Sequence, residues 1–125
     1  MKKNNKILAL VLIFSLSAPA LALDDKSPKK VLELYNIGEL GEEIVYAYFN
    51  GMGQALLATA WGKQFCTDEN FGFNAYDWWN IYLKEYYSRK EFYEDAYIEI
   101  GGFSHATLLL YALIKTFPCE EENQE

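Results

Sequence analysis

The chain has 125 residues, of which 11 are basic and 18 are acidic, and its net charge is −7. This length allows one compact domain with a single core, so we predict one domain. The acidic balance excludes the usual mode of nucleic-acid binding, because a phosphate backbone is bound through clustered lysines and arginines. It also disfavours anionic membrane surfaces, whereas it favours solubility or attraction to a basic partner.

The first 22 residues have the pattern of a secretory signal peptide. Three lysines precede an apolar run over 7–16, and a small-x-small cleavage site stands at 20–22. The run is shorter than the roughly 20 residues that a bilayer span needs, which disfavours an uncleaved anchor. We therefore expect a mature chain of 103 residues that begins at Leu23, works in the periplasm without membrane attachment, and has a net charge of 8 − 18 = −10.

The mature chain contains two cysteines, Cys66 and Cys119. In an oxidising compartment they are expected to form a disulfide, which would restrict the unfolded chain by about 4 kcal/mol. The alternative is that Cys66 is a nucleophile and His105 its base, but the sequence supplies no third, orienting group for that pair.

Two helices are predicted in the first half of the mature chain. Ser27 followed by Pro28 indicates a helix start, with the hydroxyl available as a cap, and the helix should cover about 28–36. The second should cover about 41–61 and end at Gly62. The stretch 44–61 carries no charge, so a membrane span is the alternative to a central helix of a soluble bundle.

Small residues recur every four positions in the second helix, at Ala47, Gly51 and Ala55. This spacing aligns them on one face, where another helix backbone can approach closely. Gly51 and Gly53 each cost about 1 kcal/mol relative to alanine inside a helix, so we expect close packing to offset them. The packing is either within the monomer or across a homodimer interface.

A third helix is predicted over about 75–88. Asn74 and Asp77 form a capping-box-like start for it. On a helical wheel, Trp78 and Ile81 fall off the main apolar arc. The residues that form this arc are Ala75, Tyr76, Trp79, Tyr82, Leu83 and Tyr86. The side chains of Trp78 and Ile81 are ascribed either to a wide core face or to contact with a partner.

The last part of the mature chain is predicted to contain two more helices and a tail. Ser88 and Glu91 can cap a short helix up to about residue 98, although 97–100 fits a brief strand equally well. An apolar helix follows over about 106–116, and 120–125 is an acidic tail expected to fray. The predicted fold is an all-α bundle of four to five helices with one disulfide, in a domain that covers 23–119.

Residues for catalysis or metal binding are sparse. His105 is the only histidine and is expected to be structural. We expect no metal and no cofactor, because the spacings typical of such sites are missing. A carboxylate cluster is a solvated face or at most a binding edge; its members are Glu91, Glu94, Asp95 and Glu99. Aromatic residues make up 17% of the chain, which favours binding.

Four short motifs follow one another along the chain. These are Val31-Leu32-Glu33-Leu34, an aromatic and small-residue helix over 47–55, Phe65-Cys66, and a last helix that ends in Phe117-Pro118-Cys119. In their order and spacing, the motifs resemble the Rap/Tai family, the periplasmic immunity proteins that protect bacteria from type VI secretion amidase effectors. This chain departs from the family pattern in two places. Tyr35 and Val45 stand where members often carry a second cysteine pair, and 86–102 is longer and more aromatic than the family pattern.

The resemblance implies an all-helical, often dimeric protein that is not an enzyme and that occludes the cleft of a peptidoglycan amidase. Occlusion requires a complementary surface and not catalytic groups. The residues expected to form an exposed edge for this contact are Asp68, Glu69, Phe71, Phe73, Trp78 and Ile81. The alternative function is a small periplasmic stress chaperone of the HdeA-like kind, which would expose apolar surface at acid pH.

Overall fold

A computed structural model describes residues 23–68 and 72–120. Within these residues the chain forms five α-helices and no strand: α1 (Pro28–Tyr35), α2 (Glu39–Ala60), α3 (Ala75–Ser88), α4 (Lys90–Ile100) and α5 (His105–Thr116). The predicted all-α bundle is confirmed, and the segment 97–100 is helix and not strand. The proposed signal peptide, 1–22, and the tail from residue 121 onward lie outside the described residues.

Local sequence signals set several helix ends. The Asn74 side chain accepts from the Asp77 backbone N–H at 2.9 Å, and the Asp77 carboxylate accepts from the Asn74 N–H at 2.9 Å, so the predicted capping box forms. Gly101 ends α4 in the left-handed region at φ +80°, which glycine adopts without steric cost. The backbone N–H groups of Gly101 and Gly102 then satisfy two carbonyls of the last turn of α4.

Two predicted caps are wrong. The Ser27 side chain makes no capping bond to α1; instead its backbone N–H donates to the Asp25 carboxylate at 3.1 Å. At the start of α4, the Ser88 hydroxyl donates back to the Glu85 carbonyl at 2.8 Å, so it belongs to the end of α3. Both helices form nonetheless, because tertiary packing contributes more to helix stability than a single cap does.

Helix α3 lies at the centre of the bundle and packs against α2, α4 and α5, while α1 packs on α2. The core between these helices is rich in aromatic side chains. The largest fully buried ones are Trp78, Trp79, Tyr82, Tyr86, Phe49 and Phe65. Leu108, Leu109 and Leu113 supply the apolar face of α5. Much of the aromatic content is therefore used in the core.

Cys66 and Cys119 form the predicted disulfide, with an S–S distance of 2.07 Å across 53 residues of sequence. Beside it, the Cys66 backbone N–H donates to the Phe117 carbonyl at 2.8 Å. The loop after α2 is thus joined to the end of α5 by one covalent bond and one hydrogen bond. In 23–68 and 72–120, no helix has both the length and the apolar character needed to cross a bilayer.

Candidate protein-binding surface

The predicted contact edge is only partly exposed. Asp68 is exposed, whereas Phe73 and Ile81 are half-buried. Trp78 is 0% exposed, so its prediction as an exposed anchor is wrong. Glu69 and Phe71 lie outside the described residues.

Trp78 is buried because both Phe73 and the backbone of α2 pack against its indole ring. The Phe73 ring stacks on it with centroids 4.3 Å apart. The backbone of α2 approaches its ring atoms at Gly53, where a Cβ would overlap Cδ2 and Cε2 of the indole. Helix α3 therefore has a wider buried face than its wheel predicted.

The small-residue stripe does not pack within the monomer. Ala47, Gly51 and Ala55 are all exposed, and a Cβ on Gly51 would meet no atom within 4 Å. The prediction of intramolecular close packing at this stripe is therefore wrong. Gly53 is the α2 glycine that does lie against another helix, and contact of the stripe across a homodimer stays a prediction.

His105 is a buried connector between three segments of the chain. The residue is 3% exposed. Its Nε2 lies 2.7 Å from the Asp25 backbone carbonyl, and its Nδ1 lies 2.9 Å from the Tyr82 hydroxyl. Because a carbonyl can only accept, the neutral ring carries its proton on Nε2 and accepts from Tyr82 at Nδ1. This pairing attaches the segment 23–27 to the bundle.

Burial lowers the pKa of His105 below its usual range, against the opposing effect of the Asp25 carbonyl. The folded state therefore binds fewer protons at this ring than the unfolded state does, and stability falls as the pH drops through about 6.5. We expect the free energy of unfolding to decrease between about pH 7 and about pH 5. Urea unfolding across that range measures it, with His105→Gln as the variant that lacks the titrating group.

The variant should be less stable than wild type at neutral pH, and its stability should depend less on pH. Asp25 titrates in a separate window, because its hydrogen bond with Lys30 lowers the pKa of that carboxyl below 3.8. The contribution of Asp25 to the free energy of unfolding is therefore lost only as the pH falls through the lowered pKa of this carboxyl. Equal slopes for wild type and His105→Gln between about pH 7 and about pH 5 would contradict the assignment to His105.

Glu85 is a second buried polar group, with a side chain that is 3% exposed. The Tyr93 hydroxyl donates to it at 3.0 Å, Lys115 Nζ lies 3.5 Å away, and Arg89 lies 3.8 Å away. A buried carboxylate needs such partners to offset its desolvation. These contacts join α3 to α4 and α5, so the carboxylate is used in holding the bundle together.

The two cysteines and the histidine of the described residues have structural roles. No three of the histidine, cysteine, aspartate and glutamate side chains in 23–68 and 72–120 could hold a metal ion. Both cysteines are in the disulfide, and His105 is enclosed by its two hydrogen-bond partners.

A cleft of about 430 Å³ separates α1 from α4. Its tyrosines direct their hydroxyls to carboxylates: Tyr86 donates to Glu94 at 3.3 Å and Tyr97 donates to Asp25 at 3.2 Å. Burial, with Glu94 beside it, raises the pKa of Tyr86 to about 12. The Tyr86 phenol is thus neutral at physiological pH, and the tyrosine rings give the cleft an aromatic floor.

Ile98 stands at one edge of this cleft, and Ile100 follows two residues later, outside the cleft lining. Ile98 is 80% exposed and Ile100 is 66% exposed. A second, more open depression of about 570 Å³ lies on the other side, lined by Tyr97, Ile98, Ile100 and the segment 24–26. The two depressions meet at Tyr97 and Ile98. We call Tyr97, Ile98 and Ile100 the Ile98 ridge.

The sequence reasoning found the acidic residues of α4 but missed the ridge. A signal was available, because Tyr93, Ala96 and Tyr97 define the inward face of the helix. Ile98 falls on the opposite side, at helical spacing from Glu94 and Asp95. An isoleucine among solvent-facing carboxylates departs from the polar pattern of this face, which makes Ile98 a candidate contact residue.

Comparison with known proteins identifies no relative of this chain. No protein-family model, no curated protein and no solved structure matches it.

Proposed function

We propose that this chain is an exported, immunity-type binding protein that occludes the cleft of a secreted peptidoglycan amidase of a type VI secretion system. The observation that carries the proposal is the Ile98 ridge between its two depressions. A protruding apolar side chain beside an aromatic-floored cleft is the form that a protein-binding hot spot takes. Such a surface can block an enzyme without reacting with its substrate.

Two further observations support the proposal. The amino-terminal pattern predicts export to the compartment where peptidoglycan is cleaved. The Phe65-Cys66 and Phe117-Pro118-Cys119 motifs, which carry part of the resemblance to immunity proteins, are joined by the disulfide. The same bond stabilises a small domain in an oxidising compartment.

The test of this function is inhibition. The exported, oxidised protein is titrated into a secreted amidase encoded beside its gene, and release of peptides from purified cell wall is measured. We expect activity to fall in proportion to added protein until the amidase is saturated. An amidase from an unrelated bacterium serves as control and should stay active. If the amidase encoded beside the gene keeps its full activity with an excess of this protein, the proposal is contradicted.

A periplasmic acid-stress chaperone is the second candidate function, and His105 favours it. Protonation of this buried ring would loosen the attachment of 23–27 and expose apolar surface at acid pH. A hydrophobic dye titrated from neutral to acid pH separates the two functions. A chaperone should bind the dye progressively and suppress aggregation of a client, whereas an inhibitor should stay folded while bound to one enzyme.

A further inference from the structure

We propose that the Ile98 ridge is the contact surface for the partner, and that it recognises a basic protein segment with an apolar anchor side chain. The inference rests on the proposed binding function and names the chemistry of what is bound. The anchor would occupy the cleft between α1 and α4, next to Ile98. Lysine or arginine side chains on either side of the anchor would face the carboxylates of α4.

The charge that would favour a cationic partner lies on α4, because the α1 side of the cleft carries Lys29 and Lys30 together with Glu33. The α4 helix of 11 residues carries four carboxylates and one lysine, a net charge of −3. Glu94 and Asp95 stand one turn before Ile98, and Glu99 follows it directly. Lys90 lies 3.9 Å from Glu94, but Glu91, Asp95 and Glu99 form no ion pair with any residue in 23–68 or 72–120. These exposed carboxylates are available to steer and orient a basic surface.

The apolar part of the Ile98 ridge favours a partner with an apolar anchor side chain. Ile98 and Ile100 gain nothing from the core in their exposed positions, whereas a partner side chain placed against them would bury apolar area on both molecules. The cleft beside them already has its phenol hydroxyls paired with carboxylates. Its floor therefore presents aromatic rings without unsatisfied donors, which suits an aliphatic or aromatic anchor.

Other occupants fit the ridge less well. A second copy would place two α4 helices of equal negative charge against each other, which is unfavourable. Nucleic acid and anionic lipid would be repelled by the same carboxylates. A basic protein segment with an apolar anchor is the occupant that fits both the negative charge of α4 and the exposed isoleucines.

The experiment observes the isoleucine methyl groups of the full exported protein by NMR. The probe is a synthetic peptide that alternates arginine and leucine, and the matched control peptide alternates glutamate and leucine. We expect saturable shifts of the Ile98 and Ile100 methyl signals with the arginine peptide and none with the glutamate peptide. Affinity should also weaken as salt is added.

The matched variants are Ile98→Ser and Ile37→Ser, because Ile37 is 76% exposed and lies before α2. Both should fold like wild type, and Ile98→Ser alone should weaken peptide binding at least about tenfold. Three results would overturn the proposal: equal affinity for the arginine and glutamate peptides, a shift of the Ile37 methyl signal as large as that of Ile98, or an affinity of Ile98→Ser for the arginine peptide equal to that of wild type. The amidase titration is an independent test. If the Ile98→Ser variant inhibits the amidase as well as wild type does, the proposed contact surface is wrong but the proposed function stands. If wild type binds the arginine peptide but does not inhibit the amidase, the proposed function is wrong but the binding surface stands.

Discussion

Removal of the Cys66–Cys119 disulfide should lower the free energy of unfolding by about 4 kcal/mol. The bond spans 53 residues of sequence, so in its absence the unfolded chain regains most of the conformational freedom that the loop had lost. The change is Cys66→Ala combined with Cys119→Ala, which leaves no reactive thiol. Urea unfolding at neutral pH measures the difference. For a domain of this size, such a loss is a large part of the total stability.

Reduced wild-type protein is the control for this double variant. Both should unfold at the same, lower urea concentration, because they share an unfolded state without the crosslink. The hydrogen bond from Cys66 N–H to the Phe117 carbonyl holds the native loop in position, so both should keep the wild-type helical signal. A loss below about 1 kcal/mol would show that the crosslink barely restricts the unfolded ensemble.

Gly53→Ala should destabilise the protein by about 2 to 3 kcal/mol, although alanine is the better helix former. The added Cβ would overlap the indole of Trp78, a rigid ring that is itself fully buried and stacked on Phe73. Overpacking of this kind forces shifts in the neighbouring core. The free energy of unfolding from urea titration is the measurement.

Gly51→Ala is the matched control, two residues away on the same helix. Its Cβ would meet no atom within 4 Å, so only the backbone effect remains. This variant should gain up to about 1 kcal/mol, because alanine restricts the unfolded chain and favours helix. Similar effects of the two substitutions would refute the close approach of α2 to Trp78.

Features that depend on neighbouring residues were predictable from the sequence. The Asn74–Asp77 capping box needs only residues within one turn, and it forms as predicted. The end of the second helix near Gly62 is also local, and Gly62 has the left-handed backbone, φ +78°, that glycine adopts without steric cost. The disulfide joins residues 53 positions apart, but it was predictable because the mature chain has two cysteines in an expected oxidising compartment.

Features that depend on distant contacts were not predictable in the same way. The burial of Trp78 depends on Gly53, which lies on another helix, and a helical wheel treats each helix alone. The position of the segment before α1 also depends on a distant contact, because the His105 ring binds the Asp25 carbonyl. The outward position of Ile98 could be read from the α4 wheel, but the cleft beside it required the position of α1, which the sequence pattern does not supply.

Helix α4 turns Tyr93 and Ala96 inward and leaves Glu91, Asp95 and Ile98 outside the core. Outward positions of this kind tolerate substitution at little cost to folding. Substitutions on this side can therefore change the charge and shape that the helix presents, while the aromatic interior stays unchanged. A binding surface on the outward side of α4, as proposed, can vary without loss of the fold.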